Sequence, residues 1–392
     1  MFENGHLYFN QSTKGESRWW SWGMGSWLMV IGFFIGQIVL AILLMLSLLG
    51  DAELFNRFLE SLSSVETEGF TESLIAAIFA FCAIASIPAF LLFRGSQKPN
   101  LWGYISLVLV LIGAIAAGYL LSAPQPPEMT AMIQIIMGSS AVNYAIILSA
   151  FIFPLIALLI ATRLAHRRYA RTLITAAERV NWKRMVVGAF ITFGVLGLLT
   201  AVLHFTGLSK VSYHFDAKRF AGFTIASLLF IPFQSAAEEL VFRGYLNQAF
   251  SAFFKNKWII FAITSALFAS MHLSNPESQA GAEVGMLHHI LIMSGYFLFG
   301  FVLCVIVYFE GGLEAVIGVH AANNLFAAIF VNYEGSVLPT PSIFMAKAPE
   351  TSDNFTLILM LGIIAYLLYR TRTKLAPLDD EQIILKRGGP HP

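Results

Sequence analysis

Runs of about 20 apolar residues recur along the chain, separated by shorter polar stretches. Ten such runs stand out, at 26–49, 73–93, 101–122, 143–162, 185–206, 219–246, 257–273, 288–309, 312–331 and 355–369. About 20 apolar residues in a helix span the ~30 Å hydrocarbon layer, and only helices or closed barrels satisfy their own backbone there. The pattern predicts an all-α fold: a polytopic membrane bundle of about ten helices. The last run is short, and Thr130–Val142 is a weakly amphipathic piece placed outside the bilayer. Pro232, inside the sixth run, predicts a kink ahead of the acidic residues that follow it.

Loop charge then sets the orientation. A cytoplasmic N-terminus leaves 19 Lys and Arg on the inside, counting Arg243, against 5 outside (Arg57, Lys210, Lys218, Arg219 and Lys347). That asymmetry predicts that both termini are cytoplasmic. The first run is long enough to span and no small-residue cleavage site follows it, so it reads as an uncleaved helix. The basic loop Arg163–Arg184 is the best internal divider. It gives an N-terminal unit of helices plus basic loop (1–184), a polar-studded core (185–331), and a last helix with a polar, mobile tail (332–392).

Composition agrees with the lipid environment. The chain is 57% hydrophobic and 12% charged, whereas soluble domains carry ~25% charge. A net charge of +1 offers no field for nucleic acid. Cys82 and Cys304 both lie in apolar runs, which argues against a disulfide framework or a thiolate site. The expected location is the cell membrane, as a multi-pass protein with the bilayer around it.

Three runs carry polar residues that lipid would reject. "SAAEELVFRGYL" puts Glu238, Glu239 and Arg243 within a membrane-length segment, where an acidic group costs about 2.5–3.5 kcal/mol at mid-span. Glu239 and Arg243 share a helix face, as do Phe268 and His272, and His320 and Asn324. Polar stripes in a bilayer must face protein, a cavity or each other. Glu239 and His272 each lie 16 residues from the Lys255–Lys257 turn, putting both at about 24 Å. His320, only 8 residues past Gly312, matches that depth less well, and Asn324 matches better. Glu310 and Glu314 flank Gly311-Gly312 and read as solvated or interfacial.

Taken singly, each stripe has an ordinary reading: an ion pair, a helix-end histidine, interhelical hydrogen bonding. By composition, Glu-Glu-x-x-x-Arg is expected about 0.03 times in this chain, His-x-x-x-Asn about 0.3 times and Phe-x-x-x-His about 0.8 times. The informative feature is their order on three apolar segments. In that order, Glu238-Glu239-x-x-x-Arg243, Phe268-x-x-x-His272 and His320-x-x-x-Asn324 resemble the three motifs of the CPBP intramembrane proteases. That family includes the type II CAAX prenyl endopeptidases and bacteriocin-processing proteins. The resemblance covers roughly Gly222 to Val331 and implies an intramembrane peptidase acting on a membrane-associated peptide or protein, of CAAX or leader-peptide type.

Two chemistries fit the residues. In the first, Glu238 activates a water as general base and His272 orients or polarises it. Glu239 pairs with Arg243, and His320 and Asn324 stabilise the oxyanion. In the second, Glu239, His272 and His320 bind Zn²⁺ or another divalent metal with a position left for water. The resemblance admits both. A proton-coupled transporter is the alternative from another class, since intramembrane Glu, Arg and His also form proton relays. The first four apolar runs, however, hold no counterpart of the "SAAEELVFR" segment. A catalytically idle membrane scaffold is a third reading.

Overall fold

The computed structural model describes residues 3–64, 127–251, 254–346 and 353–385. Helices dominate. In chain order they are α1 (Glu3–Asn10), α2 (Trp19–Leu48), α3 (Ala52–Ser64), α4 (Pro127–Ser139), α5 (Ala141–Ser149), α6 (Ile152–Leu164), α7 (Trp182–Phe205) and α8 (Ala217–Glu239). They continue as α9 (Asn247–Ser251), α10 (Lys257–Ser270), α11 (Pro276–Val284), α12 (Met286–Glu310), α13 (Glu314–Leu325), α14 (Asp353–Thr371) and α15 (Asp380–Ile383). Among the described residues, six runs are long and apolar enough to cross a membrane: Trp20–Leu48, Ala141–Leu164, Trp182–Phe205, Ala217–Ser251, Met286–Glu310 and Asn354–Thr371. Lys257–Ser270 and Glu314–Phe330 are shorter apolar helices. These eight coincide with eight of the ten expected runs. The other two, 73–93 and 101–122, and with them Cys82, lie outside the described residues.

Among the described residues two segments are π-helical, and each lies at a polar motif. Leu240–Leu246 is π-helical and joins α8 to α9, and Phe326–Phe330 is π-helical after α13. Such wide turns turn up often at functional sites. Pro232 lies inside α8 itself, and the π-helical stretch that carries Arg243 begins directly after the acidic pair.

The core is built around α13, which is buried from Glu314 to Ala322 and packs most closely on α7. Glycine makes that approach possible. A Cβ on Gly318 would fall 1.9 Å from the Met185 carbonyl oxygen, and one on Gly188 would fall 2.4 Å from that of Ala315. At the far end from the termini, β1 (Val211–Tyr213), β3 (Phe344–Ala346) and β2 (Val331–Tyr333) form a small sheet in the order β1-β3-β2. β1 is antiparallel to β3, and β2 is parallel to it.

The two termini meet at one end of the bundle. Lys14 pairs with Asp380 at 2.8 Å and Lys374 with Glu3 at 3.0 Å. Buried Asn4 donates to the carbonyls of Phe309, Glu310 and Thr373 and accepts from the Leu375 amide. Tyr8, fully buried, donates to the Leu173 carbonyl at 2.5 Å. The described part of the tail, up to residue 385, is held against the basic loop. Ile383 is buried, Arg171 donates to the Gln382 carbonyl, and Tyr169 and Leu385 make backbone bonds between tail and basic loop.

Several charges that read as solvated are interior. Glu310 forms a two-pronged pair with Arg184, at 2.6 and 2.9 Å, and Glu314 is buried and accepts from the Asn181 amide. Arg168 is fully buried, with Nη1 donating to the Gln11 carbonyl and to Gln248. The reason is shared: the basic loop and N-terminal segment fold over the Gly311–Leu313 turn and remove it from solvent.

Candidate active site

Apolar segments turn their few polar groups inward because lipid offers them no partner. On α8 and the π-turn after it, Glu239 and Arg243 are both essentially inaccessible, and Arg243 Nη1 donates to Glu239 Oε1 at 3.0 Å. Counting Arg243 among the inside loop charges is therefore wrong: its charge is consumed in the interior. Its guanidinium lies over the Phe268 ring, 4.0 Å from the centroid. Gly300 of α12 leaves it room, since a Cβ there would approach Nη2 to 3.3 Å.

α13 supplies the facing side. His320 Nδ1 lies 2.7 Å from Glu239 Oε1, already the acceptor for Arg243. An ionised carboxylate only accepts, so Nδ1 carries the proton. The other ring nitrogen, Nε2, then points towards Glu238 Oε2 at 3.6 Å. That is beyond hydrogen-bond reach, and Glu238 Oε2 is buried without a hydrogen-bond partner. Glu238 itself is partly exposed, whereas Glu239 is sealed. Each carboxylate keeps one oxygen without a partner, but Glu239 is sealed and neutralised by a fixed cation, whereas Glu238 is partly exposed and has none.

The depth mismatch expected for His320 does not arise, because the Gly311–Leu313 turn is itself buried. His272 lies two residues past the end of α10. Its Nδ1 donates to the Phe268 carbonyl at 2.9 Å, which leaves Nε2 as the acceptor. Phe268 links the elements: its ring stands 4.7 Å from that of His272 and 6.2 Å from that of His320. Glu239, Arg243 and His320 are thus in direct polar contact, Glu238 faces His320 at 3.6 Å, and His272 joins them through an aromatic neighbour.

Asn324 joins through Gln234, a residue absent from the sequence reading. Gln234 Nε2 donates to Glu238 Oε1, and its Oε1 accepts from Asn324 Nδ2 at 3.1 Å. One side chain thereby ties the open carboxylate to the amide of the third motif. Its position four residues before Glu238 was the available signal. Tyr296 was also missed: its ring stacks on His272 at 4.1 Å and 27°.

The site as arranged does not present a three-ligand metal set. Glu239 already faces Arg243, and a guanidinium in contact opposes a divalent cation at the same carboxylate. Among the described residues no group of three or more His, Cys, Asp or Glu side chains is disposed to hold an ion. A surface pocket of about 270 Å³, lined by His214, Arg219, Tyr333 and Glu334 among others, contains none of the motif residues.

Comparison with known proteins bears on the same segment. Residues 217–326 match the family model for "Type II CAAX prenyl endopeptidase Rce1-like". The chain is also 31% identical over 257 residues to the uncharacterized protein YyaK of Bacillus subtilis (strain 168), an alignment covering 62% of this chain and 83% of that protein. The chain belongs to the Rce1-like family. It is a multi-pass membrane protein of a protease family. The Rce1-like match starts at the first residue of α8 and ends just past α13, so it encloses all three motifs. No solved structure matches the chain.

Proposed function

We propose that the chain is an endopeptidase of the cell membrane that hydrolyses a peptide bond in a membrane-associated substrate, with Glu238 activating the water. One observation carries the reading. Glu238 Oε2 is an acceptor without a partner, 3.6 Å from His320 Nε2, beside a glutamate whose charge is already met by Arg243. A water donating to that oxygen has its proton acceptor in place.

In this scheme the water oxygen attacks the scissile carbonyl carbon and passes a proton to Glu238. The carbonyl oxygen takes up the negative charge, and Asn324, whose amide Gln234 orients, donates to it, while His320, with its proton on Nδ1, offers Nε2 as an acceptor. Collapse breaks the C–N bond, the leaving nitrogen receives the proton held by Glu238, and an acid and an amine result. His272 Nε2, free because Nδ1 is bound, orients the water. Glu239 and Arg243 hold the His320 tautomer and take no proton. The substrate class the family suggests is a CAAX-type or leader peptide held at the bilayer.

Purified chain in proteoliposomes, given lipid-anchored peptides, should release fragments detectable by mass spectrometry. It should do so equally after exhaustive chelation. Proton flux without any cleavage would replace this reading with transport, and activity that returns only on adding Zn²⁺ would replace its chemistry with a metal route.

A further inference from the structure

We propose that Tyr296 is a positioning residue for His272, fixing the imidazole plane and so the aim of Nε2. The catalytic consequence rests on the protease reading above, and the geometric part stands without it. His272 sits in the turn between α10 and α11, where the backbone no longer holds the side chain in a helical row. One hydrogen bond, from Nδ1 to the Phe268 carbonyl, pins the ring at a single point and leaves its tilt undetermined. Phe268 meets the ring obliquely, at 52°. Tyr296 meets it nearly parallel, at 27° and 4.1 Å. An offset-stacked neighbour at that distance restricts tilt.

Tyr296 is itself anchored to the segment it covers. Its hydroxyl donates to the Glu277 carboxylate and accepts from Asn275 Nδ2 at 2.8 Å. Asn275 and Glu277 lie three and five residues after His272, so these bonds tie the His272 turn to α12. Tyr333 of β2 also faces Glu277 and closes the arrangement from a third element. Ring and hydroxyl together make a clasp: the hydroxyl sets where Tyr296 lies, and the ring sets how His272 tilts.

The test separates ring from hydroxyl and reads His272 with and without turnover. Tyr296→Leu removes the ring, and Tyr296→Phe keeps it. The first readout is carbethoxylation of His272 by diethyl pyrocarbonate, followed by mass spectrometry with exposed His288 as internal reference. Labelling of His272 should quicken several-fold in Tyr296→Leu and stay near wild type in Tyr296→Phe. The second is steady-state cleavage: kcat should fall about 10- to 100-fold in Tyr296→Leu with KM little changed, and Tyr296→Phe should recover most of it. Should the leucine variant fail to fold, Tyr296→Met fills the space without a ring and is read the same way. Labelling of His272 no faster than wild type in the ringless variant overturns the proposal, as does an undiminished kcat. A wild-type chain that cleaves nothing would instead end the protease reading, while the labelling still decides whether Tyr296 holds the ring.

Discussion

Replacing Arg243 by methionine probes whether the buried pair with Glu239 is a structural support separate from the open carboxylate. Both partners are at or below 1% exposed, and one 3.0 Å bond joins them. Removing the cation leaves Glu239 with only the His320 hydrogen bond inside a sealed site. Breaking a buried pair from one side costs about 3–5 kcal/mol. Loss of the guanidinium over Phe268 adds about 1 kcal/mol, partly offset by the methionine filling the volume. A net loss of about 4 kcal/mol corresponds to roughly 5 °C in the unfolding midpoint of a chain this long. Neutralising the orphaned acid should return part of this. The double variant Glu239→Gln/Arg243→Met keeps an acceptor for His320 and should recover about 2 kcal/mol of the single-variant loss. Fully buried Cys304 supplies the assay. In a Cys82→Ser background, a maleimide dye reacts as the fold opens on heating. A single variant that melts with the wild type, or a double variant that melts no later than the single, refutes the reasoning.

The remaining predictions concern other parts of the fold. His166 is fully buried, with Nδ1 donating to the Glu16 carbonyl, and burial and the Arg168 charge push its pKa down to about 3. Its neutral form is the one the fold accepts. The associated stability is therefore whole above the unfolded pKa of ~6.5 and is lost as pH falls towards 3, by about 1.4 kcal/mol per unit. The melting midpoint should drop between pH 7 and 5, and His166→Gln should flatten that slope. Gly318→Ala should destabilise by more than about 2 kcal/mol, because its methyl would meet the Met185 carbonyl oxygen, a backbone atom on a packed helix. Melting temperature checks it. Gln234→Leu should lower turnover on the order of tenfold, by releasing both Glu238 and Asn324, while leaving the melting midpoint within about 2 °C.

What the sequence disclosed follows from what lipid enforces. The eight described helical runs were legible because a bilayer permits no other apolar segment of that length. The motif pairs were legible because four-residue spacing puts two side chains on one face. Residues with everyday roles elsewhere stayed hidden. Gln234 has no charge to make it conspicuous, although it lies one turn from Glu238. Tyr296 lies in an apolar run with no helical spacing to any motif residue, and only its stacking on His272 sets it apart. Glu310 and Glu314 read as solvated or interfacial and Arg168 and Arg184 as charges of a basic loop, because nothing local announces that the N- and C-terminal segments will close over them. The depth of α13 was misjudged for that same reason.

The chemistry turns on Glu238 alone supplying the base, and one substitution isolates it. Glu238→Gln keeps the side-chain shape and an acceptor for Gln234, but cannot take a proton from water. Single-turnover cleavage of a lipid-anchored peptide should fall by at least about 10³-fold, with the Cys304 melting curve unchanged. Cleavage within about tenfold of wild type would contradict the account, since a water so easily activated without this carboxylate must take its base from elsewhere.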